Sequence, residues 1–334
     1  MGRQDTVGSV PGILREAVRG TGVSSLSVVI PVFRAEQTLP ELHRQLMAAL
    51  PALAPAFEVI YVEDCGGDGC WPLIAAFAAA DARVRGIRMN RNFGQHNAIL
   101  CGIRAAQHDL IVTMDDDLQH PVEEIPKLLA ALTDEVDVVY GFPERERHSL
   151  MRRLASQLTK LALASAMGAE TARHVSAFRA FRTLLREGFR DYRSPSVSID
   201  VLLTWATTRF ATVRVVHRPR AAGVSGYSLG SLMRHGVNLM TGFSTLPLQV
   251  ASFVGFGFVL VGIATMAYVL VNYLLHGSTV PGFAFLASIV TIFSGAQLFA
   301  LGIFGEYLAR MHFRSMDRPA YVVRERAGLP LGNA

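Results

Sequence analysis

Hydrophobic and polar positions fall into two alternating periods along the first two-thirds of the chain. Leu26–Pro31 is a short β-branched run stopped by a proline and reads as a buried strand. Apolar residues then recur at helical spacing from Leu39 to Leu50, and Pro40 suits a first helical turn. Phe57–Val62, Val84–Met89, Leu110–Met114 and Val136–Tyr140 repeat the strand pattern; Trp71–Ala80, Asn97–Ala106 and Pro121–Leu132 repeat the helical one. Strands alternating with helices imply an α/β fold, a mostly parallel sheet covered on both faces. In such sheets ligands bind at the carboxyl ends of the strands. Further along, the pattern predicts an arginine-bearing helix over Arg145–Met167, a strand at Phe178–Phe181, a helix at Ile199–Thr207 and a strand at Ala211–His217.

The pattern changes towards the C-terminus. Ser228–Ser244 carries Leu229, Leu232, Met233, Leu239, Met240 and Phe243 in a roughly amphipathic array, which suits a helix lying in a membrane interface or an ordinary core helix. No Asp, Glu, Lys or Arg occurs between Arg234 and Glu306. A spanning helix needs ~20 mostly apolar residues, so Val250–Leu275 and Gly282–Phe304 are predicted transmembrane helices joined by a turn over 276–281. A buried hairpin in a large soluble core is the competing reading. Arg214, Arg218, Arg220 and Arg234 precede the hairpin, Arg310, Arg314, Arg318, Arg324 and Arg326 follow it, and the intervening loop has none. That bias predicts both ends in the cytoplasm.

Composition agrees with a part-membrane chain. Of the 334 residues, 51% are apolar and 18% charged, below the ~25% charged usual in soluble domains; mean hydropathy is +0.31. Collagen-like, disordered and disulfide-stapled classes are excluded. The three cysteines, Cys65, Cys70 and Cys101, form no CxxC pair and suit a reducing compartment. Met1–Gly20 has no continuous apolar core and does not read as a secretory signal. The +5 net charge is carried by arginine, with Lys127 and Lys160 the only lysines; arginine suits phosphate recognition, although a codon preference would produce the same excess. The expected divisions are a lead-in at 1–24, a soluble domain at 25–227, an interfacial helix at 228–245, the hairpin at 246–305 and a basic tail at 306–334.

Three clusters could carry chemistry. Asp115-Asp-Asp-Leu-Gln-His-Pro121 directly follows a predicted strand. Successive carboxylates there repel one another, so a cation must offset them or they must stay solvated. Asp115 and Asp117 can face one side of an extended turn, and two oxygen ligands plus substrate phosphates commonly hold Mg²⁺ or Mn²⁺, with Gln119 as a further oxygen donor. Glu63, Asp64 and Asp68 end the second strand among Gly66, Gly67 and Gly69, where carboxylates could accept from a nucleobase or ribose. Arg152, Arg153, Arg179 and Arg220 lie on three separate segments and would make a phosphate site if they converge. The plain alternatives are solvated acidic loops and surface arginines.

Four motifs stand in the order seen in family 2 glycosyltransferases: Ser27-Val-Val-Ile-Pro-Val-Phe33, Val62-Glu-Asp-Cys-Gly-Gly-Asp68, Asn90-Arg-Asn-Phe-Gly-Gln-His96 and Asp115–Pro121. Ser294–Arg310 and Arg318-Pro-Ala-Tyr-Val322 extend the likeness to the polyprenyl-phosphate glycosyltransferases, among them dolichyl-phosphate mannose synthases, O-antigen glucosyl carriers and undecaprenyl-phosphate formamidoarabinose transferases. The chain resembles this group over roughly residues 26–325. The resemblance implies a GT-A nucleotide-sugar-binding domain followed by the interfacial helix and membrane hairpin. It implies Pro31, Phe33, Glu36, Asp64 and Asp116 around the nucleotide, and Asp115, Asp117 and Gln119 on Mg²⁺ or Mn²⁺. Arg152, Arg179 and Arg220 would bind the acceptor phosphate, with Asp115, Asp117, Arg152 and Arg179 as the catalytic set. Phe33, Arg34, Glu63, Cys65, Arg173 and Gly226 depart from the usual Tyr, Asn, Asp, Gly, Asp and Lys at their positions.

The implied reaction moves a sugar from a nucleoside-diphosphate sugar, by analogy a UDP sugar, to a polyprenyl phosphate for cell-envelope glycan or lipid modification. A phosphate monoester is largely ionised at neutral pH, its second pKa being ~6, so no strong general base is needed; direct inverting displacement is what the family resemblance implies. The implied partners are donor, lipid acceptor and bilayer, with room for a homo-oligomer and no nucleic acid, at a bacterial inner membrane. A non-catalytic scaffold or lipid carrier and a sugar nucleotidyltransferase are the rivals. A processive polysaccharide synthase would carry a Gln-x-x-Arg-Trp motif, which does not occur.

Overall fold

The computed structural model describes residues 24–143, 174–195, 197–218, 246–276 and 282–328. The expected helices over Arg145–Met167 and Ser228–Ser244, the lead-in, and Arg152, Arg153, Arg173, Arg220 and Gly226 lie outside them. The described residues fall into two compact units, one holding those within 24–218 together with 318–328, the other those within 246–317.

In the first unit, β1 (Ser25–Val32), α1 (Leu39–Leu53), β2 (Ala56–Glu63), α2 (Cys70–Ala80), β3 (Val84–Met89), α3 (Gln95–Ala105) and β4 (Leu110–Thr113) alternate as predicted. After them come a 3-10 turn at Val122–Glu124, α4 (Ile125–Ala131), β5 (Val138–Pro143), β6 (Arg179–Arg182), a 3-10 segment at Thr183–Phe189, α5 (Ile199–Ala206) and β7 (Phe210–Val215). One eight-stranded sheet results, in the order β7-β5-β6-β4-β1-β2-β3 and then an edge strand, β8 (Val323–Ala327). β1 pairs in parallel with both β2 and β4, and β3 lies parallel beyond β2. The winding therefore reverses between β1 and β4, and a reversal of this kind opens a crevice at the carboxyl ends of those strands. β6 runs antiparallel to β4 and β5, so the sheet is mixed.

Burial on both faces explains the near-continuous apolar strands. Val28, Ile30, Val59 and Tyr61 pack towards Leu39, Leu42, Leu46 and Leu50 of α1, whereas Val29, Ile60 and Val62 pack towards Ala98, Ile99 and Cys101 of α3. α3 lies close against β1 because Gly102 has no side chain: a Cβ there would stand 2.3 Å from Val29 Cγ1. Gly102→Ala is expected to destabilise the fold by about 1–3 kcal/mol through overpacking, measurable as an earlier unfolding midpoint in denaturant.

The second unit contains α6 (Leu246–His276) and α7 (Gly282–Ser315), which include two segments long and apolar enough to cross a membrane, Leu248–Leu275 and Ile292–Ala309. Phe253, Met266, Leu274, Leu298 and Phe299 are exposed along them, which disfavours the soluble-core reading. Phe258 and Phe293 meet edge-on with ring centroids 5.6 Å apart. The helix ending the hairpin runs to Ser315, beyond the predicted Phe304. The tail is not simply a basic extension: Val323–Ala327 pairs antiparallel with β3. Its alternate charged residues, Arg324 and Arg326, point to solvent, which is how exposed sheet edges are commonly kept from pairing further.

Candidate active site

The crevice between β1 and β4 is lined by the loops that leave four parallel strands. Asp115-Asp116-Asp117 leaves β4 and turns sharply at Leu118, whose φ of 62° is left-handed. The three carboxylates have different roles. Asp116 turns back to β1: its Oδ2 accepts from Phe33 N at 3.0 Å, and its carbonyl accepts from Thr38 Oγ1 at 2.7 Å. Burial, with the charges of Asp115 and Asp117, pushes the Asp116 carboxyl up to about 7 despite the Phe33 hydrogen bond. Asp117 is buried, and its Oδ1 accepts from Gln119 N at 3.1 Å. Gln95 Nε2 donates to Asp115 Oδ1 at 2.6 Å, tying α3 to the acidic turn. The Gln119 carbonyl accepts from Arg218 N at 2.9 Å.

His120 supports this turn from beneath. Its Nδ1 accepts a long hydrogen bond from Asp115 N at 3.4 Å, and its ring stacks on Phe178 and on His217, each with centroids 5.1 Å apart. Burial chiefly, then His217 and Arg179, lower it to about 3. The ring is therefore neutral near pH 7 and serves as an acceptor at Nδ1.

The other side of the crevice is held by carboxylates acting on backbone. Asp64 accepts from Phe93 N at 2.7 Å and Gly94 N at 2.8 Å, fixing the 90–96 loop; burial raises its pKa against the pull of those bonds. Gly94, at φ 95°, is the residue that allows this tight return. Glu36 Oε2 accepts from Gly69 N at 3.1 Å, and Asp68 Oδ2 accepts from Glu36 N at 3.3 Å, locking together the loops after β1 and β2. Pro31 is buried in β1 opposite Val62, while the Phe33 side chain is exposed at the sheet end.

Arg179 is placed differently from a side chain waiting for a phosphate. It is buried on β6, donates from Nε to Thr113 Oγ1 at 3.1 Å, and pairs through its terminal nitrogen with Asp200 Oδ1. Asp200 Oδ1 also accepts from Tyr140 OH at 3.0 Å. The guanidinium thus underpins the end of β4, next to the aspartates. The structure brings Pro31, Phe33, Glu36, Asp64, Asp115, Asp116, Asp117 and Gln119 to one end of the sheet; Arg152 and Arg220 lie outside the described residues.

Thr38, Gln95, His120, His217 and Asp200 join the site from the structure and not from the sequence reading. Gln95 sits inside the Asn90–His96 motif, which is the one signal that points to it. Asp200, on an otherwise apolar helix, offers only the oddity of a carboxylate on a buried face.

Asp115, Asp117 and Gln119 offer oxygen donors alone, the chemistry of a hard divalent cation. Among the described residues no group of three or more His, Cys, Asp or Glu is arranged to hold a metal.

Comparisons with known proteins bear on the family and the fold. The family model Glycosyl transferase family 2 matches residues 27–192. The undecaprenyl-phosphate 4-deoxy-4-formamido-L-arabinose transferase of Pseudomonas paraeruginosa (strain DSM 24068 / PA7) is 36% identical over 304 residues, covering 90% of each chain. The protein of that name from Shewanella sediminis (strain HAW-EB3) is 34% identical over 306 residues, covering 91% of this chain and 92% of its own. Among solved structures, glucosyl-3-phosphoglycerate synthase from Mycobacterium tuberculosis, crystallised with Mn²⁺, uridine diphosphate and glucosyl-3-phosphoglycerate, superposes with a TM-score of 0.52 at 19% identity, covering 72% of this chain and 86% of that one. That likeness is one of fold. The chain belongs to glycosyl transferase family 2 and is a glycosyltransferase with a GT-A-like domain.

Proposed function

We propose that this glycosyltransferase moves a sugar from a nucleoside-diphosphate sugar, UDP-linked, to a polyprenyl phosphate such as undecaprenyl phosphate. The observation that carries the reading is the acidic turn at the β1–β4 crevice, with Asp115 and Asp117 held by α3 and by their own loop. The acceptor class is supported by the relatives' names over nine-tenths of the chain. Asp115, Asp117 and Gln119 would hold Mg²⁺ or Mn²⁺, which when bound supplies positive charge against the departing diphosphate. Phe33, with Pro31, Glu36, Asp64 and Asp116 shaping the walls around it, would seat the base and ribose. In this assignment Asp64 acts through the loop it holds.

The acceptor phosphate arrives ionised, so the chain need only orient it and offset the repulsion between two anions. Arg152 and Arg220 are assigned that role. Arg179, committed to Asp200 in this structure, is assigned the support of Thr113 and the aspartate turn. A prenyl tail leaves the bilayer at a cost of about 0.8 kcal/mol per CH₂, which gives the two apolar helices their purpose: the enzyme goes to the lipid. The arginine bias supports a cytoplasmic glycosyltransferase domain on the inner membrane of a bacterium, with both termini on that side, and the division at residues 25–227, 228–245 and 246–305 is proposed with it.

The test is a panel of radiolabelled UDP sugars, including UDP-4-deoxy-4-formamido-L-arabinose and UDP-glucose, with undecaprenyl phosphate, Mg²⁺ or Mn²⁺, and membranes carrying the full chain. Lipid-linked sugar and free UDP are expected from at least one donor. Pyrophosphate as the product would identify a nucleotidyltransferase instead, and no turnover with any nucleotide sugar would favour a scaffold.

A further inference from the structure

Three charged residues stand side by side across neighbouring strands, near the carboxyl ends of β2 and β3. Register places Glu63 of β2 opposite Arg88 of β3, and Arg88 opposite Glu325 of β8. Arg88 Nε lies 3.2 Å from Glu63 Oε2, and its terminal nitrogen lies 3.4 Å from Glu325 Oε1. Glu63 is 2% exposed, whereas the outer pair is partly solvated. The inner carboxylate also holds backbone, for its other oxygen accepts from Gly66 N at 2.7 Å. Gly66 is gripped from the opposite side too, its carbonyl accepting from Arg34 Nε at 3.1 Å. Added bulk is excluded there, since a Cβ on Gly66 would stand 2.8 Å from Arg34 N.

The loop between β2 and α2 is therefore fixed at Gly66, and the grip on its amide depends on a carboxylate whose charge is balanced by Arg88. Removing a cation from a buried carboxylate leaves that charge uncompensated, and the side chain is then driven to seek water. Glu63 cannot reach water without releasing Gly66. The C-terminal segment closes the frame a second time: Val322 O accepts from Asn90 N at 2.9 Å, at the root of the 90–96 loop that Asp64 holds. The same segment follows the apolar hairpin directly in sequence, seven residues separating Ser315 from Val323.

We propose that Arg88 is a positioning residue for the donor nucleotide, holding the 64–69 loop in binding geometry through Glu63, and that Glu325 on the C-terminal strand holds Arg88 in turn. The chain beyond the hairpin is thus part of the donor site's frame. This rests on the reading of the crevice as a nucleoside-diphosphate site.

The test uses full-length protein in detergent with UDP and Mn²⁺ as the probe, binding measured by calorimetric titration well below the melting temperature. Arg88→Met is expected to weaken UDP by about tenfold, Arg88→Lys to recover part of that loss, and Glu325→Gln to weaken UDP by about two- to threefold, as suits a half-solvated pair. Combining Glu325→Gln with Arg88→Met should weaken UDP no further than Arg88→Met alone, because the second partner of Glu325, Arg324 at 3.5 Å, is exposed on the outer face of the edge strand and touches neither Glu63 nor Gly66. If Arg88→Met does not fold, Arg88→Lys and Glu325→Gln decide. A lowered melting temperature with UDP affinity unchanged would show a purely structural ladder and overturn the proposal. Absence of UDP binding by the unmodified chain would instead remove the nucleotide reading, and this proposal with it.

Discussion

Asp117→Asn is expected to lower sugar transfer by about 10³-fold while leaving the fold intact. Asparagine keeps the volume of the side chain and an Oδ1 that can still accept from Gln119 N, the 3.1 Å bond that shapes the turn. What it removes is charge, at one of the two carboxylates assigned to the cation. Stability should not fall. Asp115, Asp116 and Asp117 crowd one turn, and burial, with their mutual repulsion, is what raises Asp116 to about 7; deleting one charge relieves it. Initial rates alongside melting curves check both halves. A rate within tenfold of the unmodified enzyme would remove Asp117 from the cation site, and a collapsed melting curve would show its role to be folding.

The largest stability effect belongs to Asp200→Ala. It strips the counterion from Arg179, which is 1% exposed, and removes the acceptor of Tyr140 OH. Breaking a buried pair by deleting one partner costs about 3–5 kcal/mol, because the remaining charge is left uncompensated. For a domain of this size that corresponds to a fall in melting temperature of roughly 10 °C. Removing both charges with Arg179→Met and Asp200→Ala should recover a large part of the loss. A fall of less than about 2 °C for Asp200→Ala would contradict the buried pair. Transfer activity in the double variant carries separate information: Arg179 stands against Thr113 at the root of the aspartate turn, so activity should remain depressed even where stability returns.

Much of this architecture is legible in sequence because burial on two faces leaves a strong imprint. Val84–Met89 reads as a strand and forms one between the same residues, and the helix starting at Leu39 is marked by its apolar spacing and Pro40. The acidic turn stands out because three successive aspartates after an apolar run have few structural uses. β8 escapes a sequence reading for the opposite reason. Its Arg324, Glu325 and Arg326 look like a solvated tail, and only the antiparallel partner reveals the alternation of Val323, Glu325 and Ala327 against the edge. The tertiary pairings are out of reach as well. Asp64 resembles a ligand-binding carboxylate in sequence, yet in the structure its two oxygens hold Phe93 N and Gly94 N, some thirty residues away. Arg179 looks like a free cation until Asp200 is placed beside it. Charge type is written in the sequence, whereas its commitment to a partner depends on the fold.

The proposed chemistry requires Asp115 and Asp117 to hold a divalent cation together with the donor's diphosphate. Electron paramagnetic resonance of Mn²⁺ titrated into the full-length protein, with and without UDP, reads this out at the metal itself. Tight Mn²⁺ binding is expected only when UDP is present, and it should be lost in Asp115→Asn/Asp117→Asn protein that remains folded. Mn²⁺ binding of equal strength in the double variant with UDP would place the metal elsewhere and refute the assignment.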